Sequence, residues 1–170
     1  MKKIIFAIIV CALFGTVDAF AKEYDIKQTK ICQENLRCDL DGNLITGTVK
    51  EYDANENLKS EISYFKGRTN GVARLYYKNG NLKDEGHYVY GSKVGMNKEY
   101  YENGILKAEL SYKNGEKNGT SKIYNEDGTL RAEILFKNGK AVSGEIYEED
   151  GRKEKMTNAH LHSADIGRLP

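Results

Sequence analysis

Aromatic, aliphatic and glycine positions return every 24 residues through the middle of the chain. Residues 71–88, GVARLYYKNGNLKDEGHY, show the unit most clearly. Gly47, Gly71, Gly95 and Gly119 share one phase, and Tyr52, Tyr76, Tyr100 and Tyr124 share a second. Leu58, Leu82, Leu106 and Leu130 form a third column, and Glu61, Glu85, Glu109 and Glu133 a fourth. Tyr64, Tyr88, Tyr112 and Phe136 form a fifth, and Gly67, Gly91, Gly115 and Gly139 a sixth. Six columns in one register mark a tandem-repeat protein.

Within a unit the pattern predicts strand, turn, strand, turn. The first strand covers residues 72–77 and the second runs from Asn81 to about Tyr90. Lys78-Asn79-Gly80 is the turn between them, echoed by Glu102-Asn103-Gly104 and Glu126-Asp127-Gly128. Gly91 and its equivalents then reverse the chain toward the next copy.

Two registers compete for this hairpin. A two-residue Asn-Gly turn sets Arg74 opposite Glu85, whereas a three-residue loop ending in a left-handed Gly sets Tyr76 opposite Leu82. Side chains two apart share a face, so the second register gathers Tyr76, Leu82, position 86 and Tyr88 into one apolar stripe. Position 86 is Gly in this copy and Ile62, Leu110 or Ile134 in the others. An apolar stripe outweighs exposed ion pairs, each worth about 0–1 kcal/mol. The three-residue loop is therefore expected, and direct pairing of Arg74 with Glu85 would contradict it.

One unit buries too few side chains to offset the entropy of ordering it, so units must stack and be capped. The expected fold is all-β: an elongated antiparallel meander of 24-residue hairpin repeats with an N-terminal cap and a short C-terminal tail. Residues 22–46 read as the cap and lead-in hairpin, with Asp41-Gly42 as a turn dipeptide. The repeats occupy 47–70, 71–94, 95–118, 119–141 and, in part, 142–151. Residues 152–170 form a polar tail in which 157–165 suggest a short helix.

Residues 1–21 have the layout of a signal peptide: Lys2 and Lys3, an apolar run over residues 4–14, then Ala19-Phe20-Ala21. That run is shorter than the roughly 20 residues of a spanning helix. Export to the periplasm, the cell surface or the exterior is expected. Cleavage would take away Lys2, Lys3 and Asp18, leaving 24 basic and 24 acidic side chains. Such balance gives no general attraction to nucleic acid, and it argues against lipid binding. Cys32 and Cys38 remain as a pair, and an even pair in an exported chain is a candidate disulfide, worth about 2–3 kcal/mol by loop entropy. Two free thiols in a reducing setting are the alternative.

Candidate chemistry is sparse. The chain has 12 Tyr and no Trp, which would suit a stacking platform, but the column tyrosines belong to the repeat lattice. The off-column Tyr77, Tyr90 and Tyr101 are the candidate binding face, because the copies differ there. The Glu column and the basic column Lys59, Lys83, Lys107 and Arg131 repeat identically and mark no unique pocket. His160 and His162, with Asp165 nearby, would share a side only if the tail were a strand, and two such ligands do not make a metal site. No nucleophile stands beside a base in a recognisable constellation. Neither catalytic residues nor a cofactor are expected.

The unit G-x4-Y-Y-x-N-G-x-L-K-x-E-x-x-Y-x-x-G, carried by Gly71, Tyr76, Gly80, Leu82, Glu85, Tyr88 and Gly91, resembles the variant MORN repeat family. The resemblance covers residues 47–139 well and 140–151 in part, and it implies a non-catalytic all-β array. Many bacterial members carry a YwqK-type antitoxin label, which implies toxin neutralisation by binding. Related eukaryotic units accompany phosphatidylinositol phosphate kinases and membrane-junction proteins. This chain has no kinase catalytic region and lacks the Trp often found in those units.

The expected function is an exported protein–protein interaction module whose partner the sequence does not name. An antitoxin or immunity-type protein is the second expectation, and a lipid or glycan binder the third.

Overall fold

The structure is a computed structural model, and it describes residues 22–165. The leader expected over residues 1–21 lies outside them. The N-terminal segment holds three short strands, β1 (Glu23–Asp25), β2 (Thr29–Ile31) and β3 (Arg37–Asp39). The array follows as β4 (Gly47–Tyr52), β5 (Leu58–Phe65), β6 (Arg68–Tyr76), β7 (Leu82–Val89), β8 (Ser92–Lys93), β9 (Gly95–Tyr100) and β10 (Leu106–Lys113). It continues as β11 (Glu116–Lys117), β12 (Gly119–Tyr124), β13 (Leu130–Lys137), β14 (Lys140–Tyr147) and β15 (Lys153–Lys155), and helix α1 (Asn158–Asp165) closes it. One sheet of 13 strands results, an antiparallel meander except where β1 joins β4 in parallel. The expected all-β repeat array is what the chain forms.

Each unit turns the chain twice, by two different devices. Within a unit, the Tyr77 N–H donates to the Asn81 carbonyl (2.8 Å) and the Gly80 N–H to the Tyr77 carbonyl (3.0 Å). This is the three-residue loop, with Gly80 at φ +88°. Between units the turn has two residues, both left-handed: Lys66-Gly67, Tyr90-Gly91, Asn114-Gly115 and Asn138-Gly139. That is the primed turn whose twist matches the flanking strands.

The expected register needs a correction. Tyr76 does face Leu82, but Arg74 also faces Glu85, because the register shifts between Leu75 and Tyr76 and Lys83 is left without an opposite residue. The same slip leaves out Lys59, Lys107 and Arg131. The basic column is thus the bulge column, and a bulge reconciles both pairings. The stripe is corrected with it. Tyr76 shares a face with Arg74 and Glu85, not with Gly86 and Tyr88 as expected.

Two unlike faces result. The core face carries Ala108, Leu110, Ile123, Ala132, Ile134 and Phe136, buried together under Met156 of the tail and Ala164 of α1. The opposite face carries the Glu column together with Lys50, Arg74, Lys98 and Lys122. β1 covers the first edge so closely that a Cβ on Gly47 would lie 1.9 Å from the Lys22 carbonyl oxygen. The cap also contributes its own buried pair, Cys38 and Ile45. Terminal units differ from the interior ones because each must cover an open end.

Candidate functional site

The midline of the charged face is a continuous row of directly opposed residues. It runs Asp25, Lys50, Glu61, Arg74, Glu85, Lys98, Glu109, Lys122, Glu133, Glu145 and Lys155. Sign alternates throughout except at Glu133 and Glu145. Arg74 bridges two units, with Nε 2.7 Å from Glu85 Oε2 and a terminal nitrogen 3.1 Å from Glu61 Oε1. Two column tyrosines and Tyr147 of the last partial copy brace the row: the hydroxyls of Tyr76, Tyr124 and Tyr147 donate to Glu61, Glu109 and Glu133 at 3.0, 3.2 and 3.2 Å. Burial, then Glu61, raises the Tyr76 phenol above its ordinary pKa. Charges that alternate along most of the row build a sheet and mark no distinct acid or base.

The three off-column tyrosines have different roles. Tyr77 donates its hydroxyl to the Tyr100 carbonyl (2.7 Å), and Tyr101 donates to the Tyr124 carbonyl (2.8 Å). The bulged Lys83 and Lys107 ammonium groups lie 5.6 and 5.8 Å from these two rings. Both tyrosines therefore stitch one unit to the next. Asn125 and Asp53 replace them where the equivalent stitch is not made.

Tyr90 makes no such bond from its hydroxyl among the described residues. It occupies the first left-handed position of its turn at φ +48°, where the next two units place Asn114 and Asn138. A bulky aromatic is costly there, whereas Asn tolerates it. Tyr90 is 62% exposed and meets Phe65 of the preceding corner edge to face, with ring centroids 6.3 Å apart. Val89 beside it is also exposed. Phe65 escaped the sequence reading because it falls on no column.

The model of the MORN repeat variant matches four stretches, residues 45–66, 69–90, 93–114 and 117–138, together slightly more than half the chain. The chain belongs to this family. Comparison with curated proteins gives no match. Repeats of the MORN variant type suggest a non-catalytic module, often for binding.

One junction of this MORN variant array departs from its own pattern. Between the second and third units, the core face holds Asp84 directly opposite Glu99, where neighbouring units hold Ser60 and Leu75 or Ala108 and Ile123. Lys93 stands close by, its ammonium 5.9 Å from the Tyr88 ring and 5.2 Å from the Tyr112 ring. Burial raises the Asp84 pKa and Glu99 adds to it, against the pull of Lys93 and Lys83. Burial works against the Lys93 ammonium, but Tyr88, Tyr112, Asp84 and Glu99 more than offset it and the pKa rises. Gly86 and Asn97 complete the departure. A Cβ on Gly86 would lie 2.8 Å from the Tyr88 ring and 3.0 Å from Asn97 Oδ1. Asn97 is buried and accepts the His87 N–H at 3.0 Å, completing the ladder where β8 and β9 part. Aligning the copies exposes all four departures, but only the register shows that they meet.

His160 and His162 lie on α1, where neighbours two apart point in different directions. No cluster of three or more His, Cys, Asp or Glu suited to a metal occurs among the described residues. Cys32 and Cys38 are joined as a disulfide, with Cα atoms 6.0 Å apart.

Proposed function

We propose that this protein is an exported, non-catalytic binding module that captures a protein partner at the Phe65–Tyr90 corner. The single observation that carries the reading is Tyr90. An aromatic side chain sits exposed in a left-handed turn position that later units fill with Asn. The edge contact with Phe65 is the one folding benefit set against the backbone strain at this exposed aromatic, and exposed aromatics are the residues that anchor protein interfaces. Export is supported by the layout of residues 1–21 and by the Cys32–Cys38 disulfide, a bond of oxidising compartments.

The test is capture from the envelope fraction of the source cell, comparing the native protein with F65S/Y90N. A partner retained by the first and lost by the second, at equal thermal stability or better, is the expected result. Capture unaffected by the double substitution would reject the corner. If the partner is a toxin, the same contact acts as an antitoxin, and co-expression would rescue cells from that partner's toxicity.

A further inference from the structure

Charge that is well mixed along the sequence is sorted by the fold. Every unit sends its two-residue turn to one edge of the sheet and its three-residue loop to the other. The two-residue edge therefore collects Lys66, Arg68, Lys113, Lys117, Lys137 and Lys140 against the single acid Glu116. The other edge collects mostly acids, among them Glu102, Glu126, Asp127, Glu148, Glu149 and Asp150. A net charge near zero conceals a sheet with one basic and one acidic margin.

The two margins are not equivalent. On the acidic side, carboxylates serve their own turns: Asp53 accepts the Asn55 and Asn57 N–H groups, Asp127 that of Thr129, and Asp150 that of Arg152. Such residues are expected at turns for local reasons. On the basic side, Lys66, Arg68, Lys113, Lys137 and Lys140 make no ion pair among the described residues. Lys137 and Lys140 even stand directly opposite each other across the last two-residue turn, both exposed. Like charges so placed are destabilising, and an anion between them would reverse the sign of that contact. Successive corners follow every second strand, hence about 10 Å apart along the edge. The lysines thus form a row rather than a pocket.

We propose that this margin, centred on Lys113, Lys137 and Lys140, is a docking edge for an extended polyanion, a chain of phosphate or sulfate groups recognised by charge and spacing. A second copy of the chain is the competing occupant, since one margin is basic and the other acidic. Two observations disfavour it: Asp53, Asp127 and Asp150 are engaged in turn capping, and Lys78 interrupts the acidic row. The polyanion edge is independent of the Tyr90 corner. The basic pairs of the third and fourth corners lie beyond it, and their substitution leaves Phe65 and Tyr90 untouched.

The experiment measures binding of labelled inorganic polyphosphate, and of heparin as the sulfated counterpart, to the full chain over a salt series. Binding of either probe should weaken about a hundredfold or more between roughly 50 and 200 mM salt, because several counterions are released. K113E/K137E/K140E should lower affinity at least about tenfold and flatten the salt slope, while K78E on the opposite margin should change it less than about twofold. The stronger probe identifies the anion class. No binding of either probe at the lowest salt would overturn the proposal, as would equal losses in the two variants. Salt-sensitive self-association that accounts for the signal, or binding to anionic vesicles in place of both polymers, would also overturn it.

Discussion

Arg74 stands directly opposite Glu85, with its Nε 2.7 Å from Glu85 Oε2, although Tyr76 two residues on stands opposite Leu82. Both pairings fit one hairpin only because the chain skips Lys83. The bulge lets a three-residue loop coexist with the ion-pair register, and it recurs in every unit. All three side chains of the Glu61–Arg74–Glu85 network are partly exposed, so each pair stabilises by no more than about 1 kcal/mol. The charge reversal E85K should destabilise by about 1 kcal/mol at low salt by putting like charges on three adjacent strands. R74E/E85K should recover none of that loss, because the restored pair is offset by the like charge then facing Glu61, and high salt should shrink the loss; urea midpoints at two ionic strengths check both.

Tyr77→Phe and Tyr101→Phe should each cost about 1 kcal/mol, the worth of one lost hydrogen bond between units. Their alanine variants should cost more, because the ring packs under Lys83 or Lys107. Equilibrium unfolding distinguishes these stitches from a free binding face, which would show no change.

The junction at Gly86 and Asn97 should be intolerant in both directions. Gly86→Ala forces a carbon against the Tyr88 ring and should cost about 1–3 kcal/mol by overpacking. Asn97→Ala leaves the part-buried His87 N–H without its acceptor, at about 1 kcal/mol. Hydrogen exchange at His87 should rise in the second variant and not in the first.

Asp84 makes a pH prediction of unusual sign. Burial first, and Glu99 second, raise its folded pKa above the unfolded value, so the folded state takes up a proton earlier as pH falls. Its penalty is present in full at neutral pH. Stability is gained as pH falls through the folded pKa, and the gain is complete below the unfolded value near 4. The groups facing it are Glu99, Lys93 and Lys83. Asp84→Asn should be more stable than the native protein at neutral pH, and the difference should close on acidification. Urea midpoints of the two proteins across pH 4–7 measure it, and a difference that grows on acidification would refute the assignment.

The repeat, its strands and its turns were legible in the columns because glycine at left-handed turns and aromatics at fixed spacing are local requirements. The face of Tyr76 was not legible, since a bulge at Lys83 leaves no mark in hydrophobic alternation. Tyr77 and Tyr101 looked free because copies differ there, yet their hydroxyls reach the next unit's backbone, a contact between residues 23 apart. The sorting of charge to two margins was hidden for the same reason. It depends on which turn goes to which edge, not on any run of like residues.

The central claim is that column residues build the sheet while Tyr90 is kept against the interest of folding. Urea unfolding of Tyr90→Asn tests it most directly. The substitution restores the residue that later units use at this left-handed position, and it should raise the unfolding free energy by up to about 1 kcal/mol. A loss of stability of similar size would show that Tyr90 serves the fold, and the corner would no longer mark a binding site.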